Sequence, residues 1–227
     1  MNRDWARWHD AYEDPVSPLS LRLALVQRHL SDALTAALPG PVRLVSLCAG
    51  QGHDVFGVLP DHPRRDDVTA VLVELDPGNA RLAADRAAQA GLASVTVREA
   101  DAGVAASYAD AMPADVLMLC GIFGNVSEHD IRPTIAAAPV MCAQGGTVIW
   151  TRHRRAPDLT PRLRDWFAAA GFVEVAFEAP SAAPLISVGV YRLADGADAR
   201  AEVGWPPRER LFTFGIAADR PAPSVGS

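Results

Sequence analysis

Apolar and polar positions along this 227-residue chain sort into two alternating kinds of segment. Short β-prone runs recur at Val42–Leu47, Thr69–Glu74, Ser94–Arg98, Ala114–Leu119, Thr147–Thr151, Val173–Phe177 and Ser187–Leu193. Between them lie stretches of helical period. Leu21, Leu25, Leu30, Leu34 and Leu38 form one stripe, with Ser20 expected as its cap and Pro39-Gly40-Pro41 as its stop. Val55, Phe56 and Leu59 form a second, and Asn79 to Ala90 a third. Ile131 to Cys142 is a fourth, and a fifth opens at Thr160-Pro161 and ends at Gly171. Strands alternating with helices predict a mostly parallel sheet covered on both faces. The last two strands follow one another without a helix, which predicts an antiparallel pair at one end of the sheet.

The strand–helix alternation predicts one α/β domain over residues 42–194. Residues 1–41 read as an N-terminal helical cap, with Trp5, Trp8 and Tyr12 on one helical face. Residues 195–227 read as a Gly/Pro/Ala-rich C-terminal extension, partly disordered, with Leu211 to Phe214 as a short packed segment. Apolar content of 49% suffices for a core of this size. No apolar run reaches the ~18–20 residues that span a bilayer, and the first residues lack an apolar signal core. A cytoplasmic protein without membrane contact is expected. Cys48, Cys120 and Cys142 stand singly in apolar surroundings, with no pairing that suggests zinc. The net charge is −6, and all 21 basic residues are arginine. An acidic chain is not built for broad phosphate-backbone contact. A small-molecule partner is favoured, nucleic acid is not excluded, and the oligomeric state stays open.

The chemistry concentrates at strand ends. The first strand breaks into Cys48-Ala49-Gly50-Gln51-Gly52 and resumes as a helix, the βα turn of a nucleotide-binding unit. Gly50 and Gly52 permit positive φ and close approach to a ligand. Val55 stands where a dinucleotide fingerprint has its third glycine, and Asp54 would meet a pyrophosphate with negative charge. The loop therefore suits a phosphate-free ligand with a cationic end. Glu74 ends the second strand about 20 residues on, where an acid accepts ribose hydroxyls in such folds. The fourth strand runs into Cys120-Gly121-Ile122-Phe123-Gly124-Asn125, beside the switch point of the sheet. There Phe123 could wall the ligand and Asn125 could point into the crevice. Arg152-His153-Arg154-Arg155, the densest positive charge in the chain, follows the fifth strand. It offers Arg152 and Arg154 to an anionic substrate and His153 as a base.

The glycine loop, Glu74, Asp101 and the terminal strand pair occur in the order that resembles the class I S-adenosylmethionine-dependent methyltransferases. The resemblance covers about residues 42–194. It implies a Rossmann-like three-layer sandwich with a seven-stranded sheet of order 3-2-1-4-5-7-6, the last strand antiparallel. It also implies S-adenosyl-L-methionine as cofactor, held by Cys48, Ala49, Gly50, Gly52, Asp54, Glu74 and Leu75. Asp101 would take the adenine amino group and the Ala102 N–H the ring, with Cys120, Gly121 and Phe123 completing the site. Ser46 stands where the family usually has an acid, and Ala49 where it usually has glycine. An N-terminal helix often covers such sites, which would bring His9 and Tyr12 near the substrate. His153 and His9 are the candidate bases, and Tyr12, Asn125, Arg152 and Arg154 the candidate substrate contacts. A cofactor-binding protein without transferase activity and an NAD(P)-dependent oxidoreductase remain the alternatives.

Overall fold

In the computed structural model, residues 14, 17–196 and 209–214 are described. Helix α1 (Pro18–Ala36) leads into β1 (Val42–Leu47), the short α2 (His53–Phe56), β2 (Val68–Glu74), α3 (Pro77–Gln89) and β3 (Val95–Glu99). Then come β4 (Ala114–Leu119), α4 (Glu128–Met141), β5 (Cys142–His153), α5 (Thr160–Ala169), β6 (Phe172–Glu178) and β7 (Ile186–Leu193). The seven strands form one sheet of order β3-β2-β1-β4-β5-β7-β6. β1 pairs in parallel with β2 and β4, β2 with β3, and β4 with β5. β7 runs antiparallel to both β5 and β6. The expected sheet order and the reversed last strand are both present.

The central strands are apolar because both their faces are covered. Val42 and Leu44 pack with Val26, Leu30 and Leu34 of α1, and Leu72 and Ile149 join that layer. Val45 and Leu47 point the other way, into a layer holding Ile131 and Ile135 of α4 and Leu163 and Phe167 of α5. Trp150 lies in this second layer, stacked against Phe167 at a centroid distance of 5.9 Å and Tyr191 at 6.2 Å. Its strand neighbour on β7 is Gly189. A Cβ there would lie 2.3 Å from the indole, so the ring crosses the strand only because that position is glycine.

Several expected boundaries shift, each for a local reason. Ser17, not Ser20, caps α1: its Oγ accepts the Ser20 N–H at 3.0 Å, with Pro18 at the first helical position. The helix after the glycine loop ends at Phe56 rather than near Leu59, because Gly57 follows and Pro60 bars continuation. α4 begins at Glu128, where the Ser127 side chain accepts the Asp130 N–H. β5 begins directly at Cys142, and Gly145-Gly146 lies inside it rather than separating helix from strand. The register on β4 slips there, from Ala114 opposite Cys142 to Val116 opposite Thr147. Asp76 caps α3 through the Asn79 N–H at 2.9 Å, with Pro77 first in the helix, as expected.

Candidate active site

The carboxyl ends of β1, β2 and β3 meet in one cluster. β1 leaves the sheet through Cys48, a non-glycine residue at φ 55°, and Gly52 follows at φ 71°. A Cβ on Gly52 would come within 2.4 Å of the Phe56 ring, so this turn needs glycine for both conformation and space. The Ala49 N–H donates to Val73 O at 3.0 Å, which ties the turn to β2. Arg86 of α3 donates to Gln51 O at 2.8 Å, and the Gln51 side chain donates to Asn79 Oδ1 at 3.3 Å. The glycine loop is thus held from α3 as well as from β2. Arg86 and Asn79 carried no motif that could announce this role.

Glu74 closes the loop from the β2 side. One carboxylate oxygen accepts the Gly50 N–H at 2.7 Å and the other the Asp76 N–H at 2.9 Å. Burial pushes its carboxyl above the ordinary range, and the two N–H donors work against that. Asp101, after β3, accepts the Gly103 N–H at 2.8 Å and pairs with Arg210 at 2.8 Å. Burial pushes the thiol of Cys48 up, and the charges of Glu74 and Asp101 raise it further. Leu75 is exposed and Ala102 is buried.

Asp54 is the third acid. It is 9% exposed and accepts the adjacent Val55 N–H at 3.1 Å. Burial raises its carboxyl, and the charge of Arg22 on α1 opposes the rise. Asp54 also raises the thiol of Cys120 at the end of β4, after the larger effect of burial. Arg22, Asp54 and Cys120 therefore share one electrostatic neighbourhood on the α1 side of the sheet.

The loop after β4 and the end of β5 give their side chains the following partners. Phe123 does not wall a crevice: it is fully buried, edge-on to Trp150 and Phe167 at centroid distances of 6.1 and 6.3 Å. Arg152 is 4% exposed and donates to Phe123 O, so it props the loop from below instead of lining an open pocket. Arg154 is held by Asp158 at 3.1 Å. An apolar core beside the strand end recruits the phenyl ring, and a buried guanidinium needs a carbonyl partner. Asn125 takes up a turn role, donating from Nδ2 to Gly121 O at 2.6 Å. The Gly121 N–H donates to Thr151 Oγ1 at 2.8 Å, which fixes the loop to β5. His153 lies against this loop, close enough that a Cβ on Gly124 would sit 3.2 Å from its Cδ2. His9 and Tyr12 lie outside the described residues.

Among the described residues no group of three or more His, Cys, Asp or Glu side chains is placed to hold a metal ion. No helix among them is long and apolar enough to cross a membrane. A surface depression between α1 and α3, lined by Gln27, His53, Phe56 and Arg86, shares none of the three acids.

No family model matches the chain, and no curated protein matches its sequence. Solved structures do match in fold. The carbon methyltransferase CurJ superposes with a TM-score of 0.61 at 14% identity, over 76% of this chain and 54% of that one. An O-methyltransferase family protein from Burkholderia thailandensis gives 0.58 at 17% identity, over 79% and 60%. The precorrin-6y C5,15-methyltransferase from Geobacter metallireducens gives 0.53 at 11% identity, over 73% and 86%. The chain spans 60% and 54% of the length of the Burkholderia protein and CurJ. At these identities the likeness is one of fold: the sheet is that of the class I methyltransferases.

Proposed function

We propose that the chain is an S-adenosylmethionine-dependent methyltransferase acting on a small-molecule acceptor. The observation that carries this reading is that three acids stand at the loops leaving β1, β2 and β3: Asp54 in the first turn after Gly52, Glu74 accepting the Gly50 N–H, and Asp101 accepting the Gly103 N–H just after β3. A pyrophosphate would meet like charge there, whereas a ligand bearing an ammonium, two ribose hydroxyls and an adenine amino group offers a donor to each. On this reading Asp54 takes the ammonium end, the role that Ser46 on β1 lacks the charge to fill. Glu74 takes the ribose, already oriented by the Gly50 and Asp76 N–H groups. Asp101 takes the adenine amino group. The backbone of Ala49, Gly50 and Gly52 lies against the methionine portion.

The cofactor would supply an electrophilic methyl group on a sulfonium. The protein's own part is to hold the acceptor in line and keep water out, which demands few catalytic side chains. His153, against the loop after β4, is the candidate base for a hydroxyl or amine acceptor, with His9 as the second candidate. Tyr12, Asn125 and the Arg152–Arg154 segment remain the proposed acceptor side of the site, with Arg152 and Asn125 acting by shaping the loop. The single cysteines and the absence of a long apolar helix among the described residues support a cytoplasmic setting.

Calorimetric titration with S-adenosylmethionine, S-adenosylhomocysteine and NADH tests the reading. Binding of the first two, weakened by Glu74→Ala and by Asp101→Ala, is the expected result. Binding of NADH alone would overturn it in favour of an oxidoreductase. Binding of S-adenosylmethionine without turnover across an acceptor screen would leave the cofactor assignment standing and remove the transferase.

A further inference from the structure

We propose that Arg210, brought in by the C-terminal segment, is a positioning residue that aims Asp101 at the amino edge of the cofactor's purine. This rests on the cofactor reading above. Residues 209–214 return to the domain far from their neighbours in sequence. The Ala105 N–H donates to Glu209 O at 3.1 Å, and the Leu211 N–H donates to Gly103 O at 2.8 Å. An antiparallel bridge joins Val104 and Arg210. On the other side Thr134 of α4 donates to Leu211 O at 3.2 Å, and the Thr213 N–H to Asp130 Oδ2 at 3.3 Å. Leu211 and Phe212 are each 1% exposed and belong to the larger core layer. The segment is thus a strap from the loop after β3 to the first turns of α4. Its fit is close: a Cβ on Gly103 would lie 2.1 Å from Phe212 O.

The strap places one charge on one acid. Arg210 Nη1 donates to Asp101 Oδ2 at 2.8 Å while the Gly103 N–H holds Oδ1 at 2.8 Å. Each oxygen keeps a second lone-pair direction for another donor. With both oxygens tethered the carboxylate plane cannot turn, and those remaining directions are fixed. Remove Arg210 and only Oδ1 is tethered, so the carboxylate can rotate about χ2. The side chains of the ion pair are 47% and 33% exposed. An exposed pair of this kind contributes little to folding, so its loss should be felt by the ligand more than by the fold.

The test compares wild type, Arg210→Ala and Arg210→Lys by calorimetric titration with S-adenosylhomocysteine and with its 6-oxo (inosine) counterpart. A positioning role predicts about fivefold to tenfold weaker binding of the adenine compound to Arg210→Ala, since an aimed charge-assisted hydrogen bond is lost. The 6-oxo compound, which lacks the amino donor, should be unaffected, Arg210→Lys should recover part of the loss, and Tm should move by no more than about 2 °C. Equal weakening of both compounds would assign Arg210 a purely structural role and overturn the proposal. So would unchanged or tighter binding of the adenine compound, the latter meaning that the ion pair competes with the ligand. If wild type binds neither compound, the cofactor reading itself fails and the proposal falls with it.

Discussion

The indole of Trp150 and the bare backbone of Gly189 make a pair whose coupling can be calculated and measured. An alanine Cβ at 189 would lie 2.3 Å from Cε2, 2.5 Å from Cζ2 and 2.6 Å from Nε1. The ring has nowhere to go: it is fully buried, stacked on Phe167 and Tyr191 and met edge-on by Phe123. Overpacking of a closed core costs about 1–3 kcal/mol, and so tight a contact belongs at the upper end. At about 3 kcal/mol Gly189→Ala should lower Tm by roughly 6–12 °C for a chain of this length. Trp150→Phe deletes the fused-ring atoms that the new Cβ would strike. The indole N–H has no hydrogen-bond partner among the described residues, so its removal strands no polar group. That substitution should cost on the order of 1–2 kcal/mol in transfer and cavity terms. The double variant should then be less destabilised than the sum of the two by about 1–3 kcal/mol. Urea denaturation of the four proteins measures the cycle. Additivity to within about 0.5 kcal/mol would refute the steric argument.

Other consequences follow from the same geometry. Gly52→Ala forces a Cβ into a left-handed turn and against Phe56; it should cost roughly 1–3 kcal/mol in urea denaturation and weaken S-adenosylhomocysteine in calorimetry. Arg86→Ala frees the Gln51 carbonyl, and should raise hydrogen exchange at Gly50–Gly52 in the unliganded protein while β4 and β5 stay protected. Stability should pass through a maximum at mildly acidic pH. Asp54 and Glu74, raised by burial, take up protons in the folded state first, so stability climbs as pH falls from neutral. Glu174, held low by Arg164 against burial and aided by Tyr191, has the opposite sign. Its contribution is full above the ordinary value of 4.5 and is lost below it. Urea midpoints that only decline from pH 7 to pH 4 would contradict that balance.

How far the sequence reaches is visible residue by residue. The mostly parallel sheet and its reversed end were legible because apolar runs of five to seven residues alternate with helical periods and two adjacent strands without a crossover must reverse, while the full strand order came from the family resemblance. The roles of Glu74 and Asp101 as ligands came from the resemblance and remain proposals; their positions, at the end of β2 and just after β3, were legible because they depend only on the end of a strand and the next turn. Phe123 and Arg152 were not. Their neighbours, Trp150, Phe167 and the Phe123 carbonyl, come from other strands and helices, and nothing local says whether a loop phenyl faces a crevice or a core. Arg210 was hidden for the same reason: its partner, Asp101, is 109 residues away. The register slip in β5 was hidden because paired glycines read equally well as a turn between elements or as a bulge within one.

On the proposed reading, the three acids also set stability against function at the carboxyl ends of the strands. A fold selected for stability alone would not bury an acid such as Asp54 beside a thiol, where burial is the largest influence on its carboxyl and outweighs its hydrogen bonds and the charge of Arg22. Nor would it hold Cys48 at φ 55°, a conformation that costs a non-glycine residue about 1 kcal/mol. Such costs persist where a ligand recovers them. Asp54→Asn keeps the shape and the Val55 contact but removes the buried charge. It should therefore raise the Tm of the unliganded protein and weaken S-adenosylhomocysteine about tenfold or more, the loss of a charge-assisted hydrogen bond. The ligand-induced rise in Tm at a fixed ligand concentration should shrink accordingly. Thermal scans of both proteins with and without S-adenosylhomocysteine separate the possibilities. A variant that melts lower than wild type yet keeps the full ligand-induced shift would make Asp54 a structural acid and move the ammonium site elsewhere.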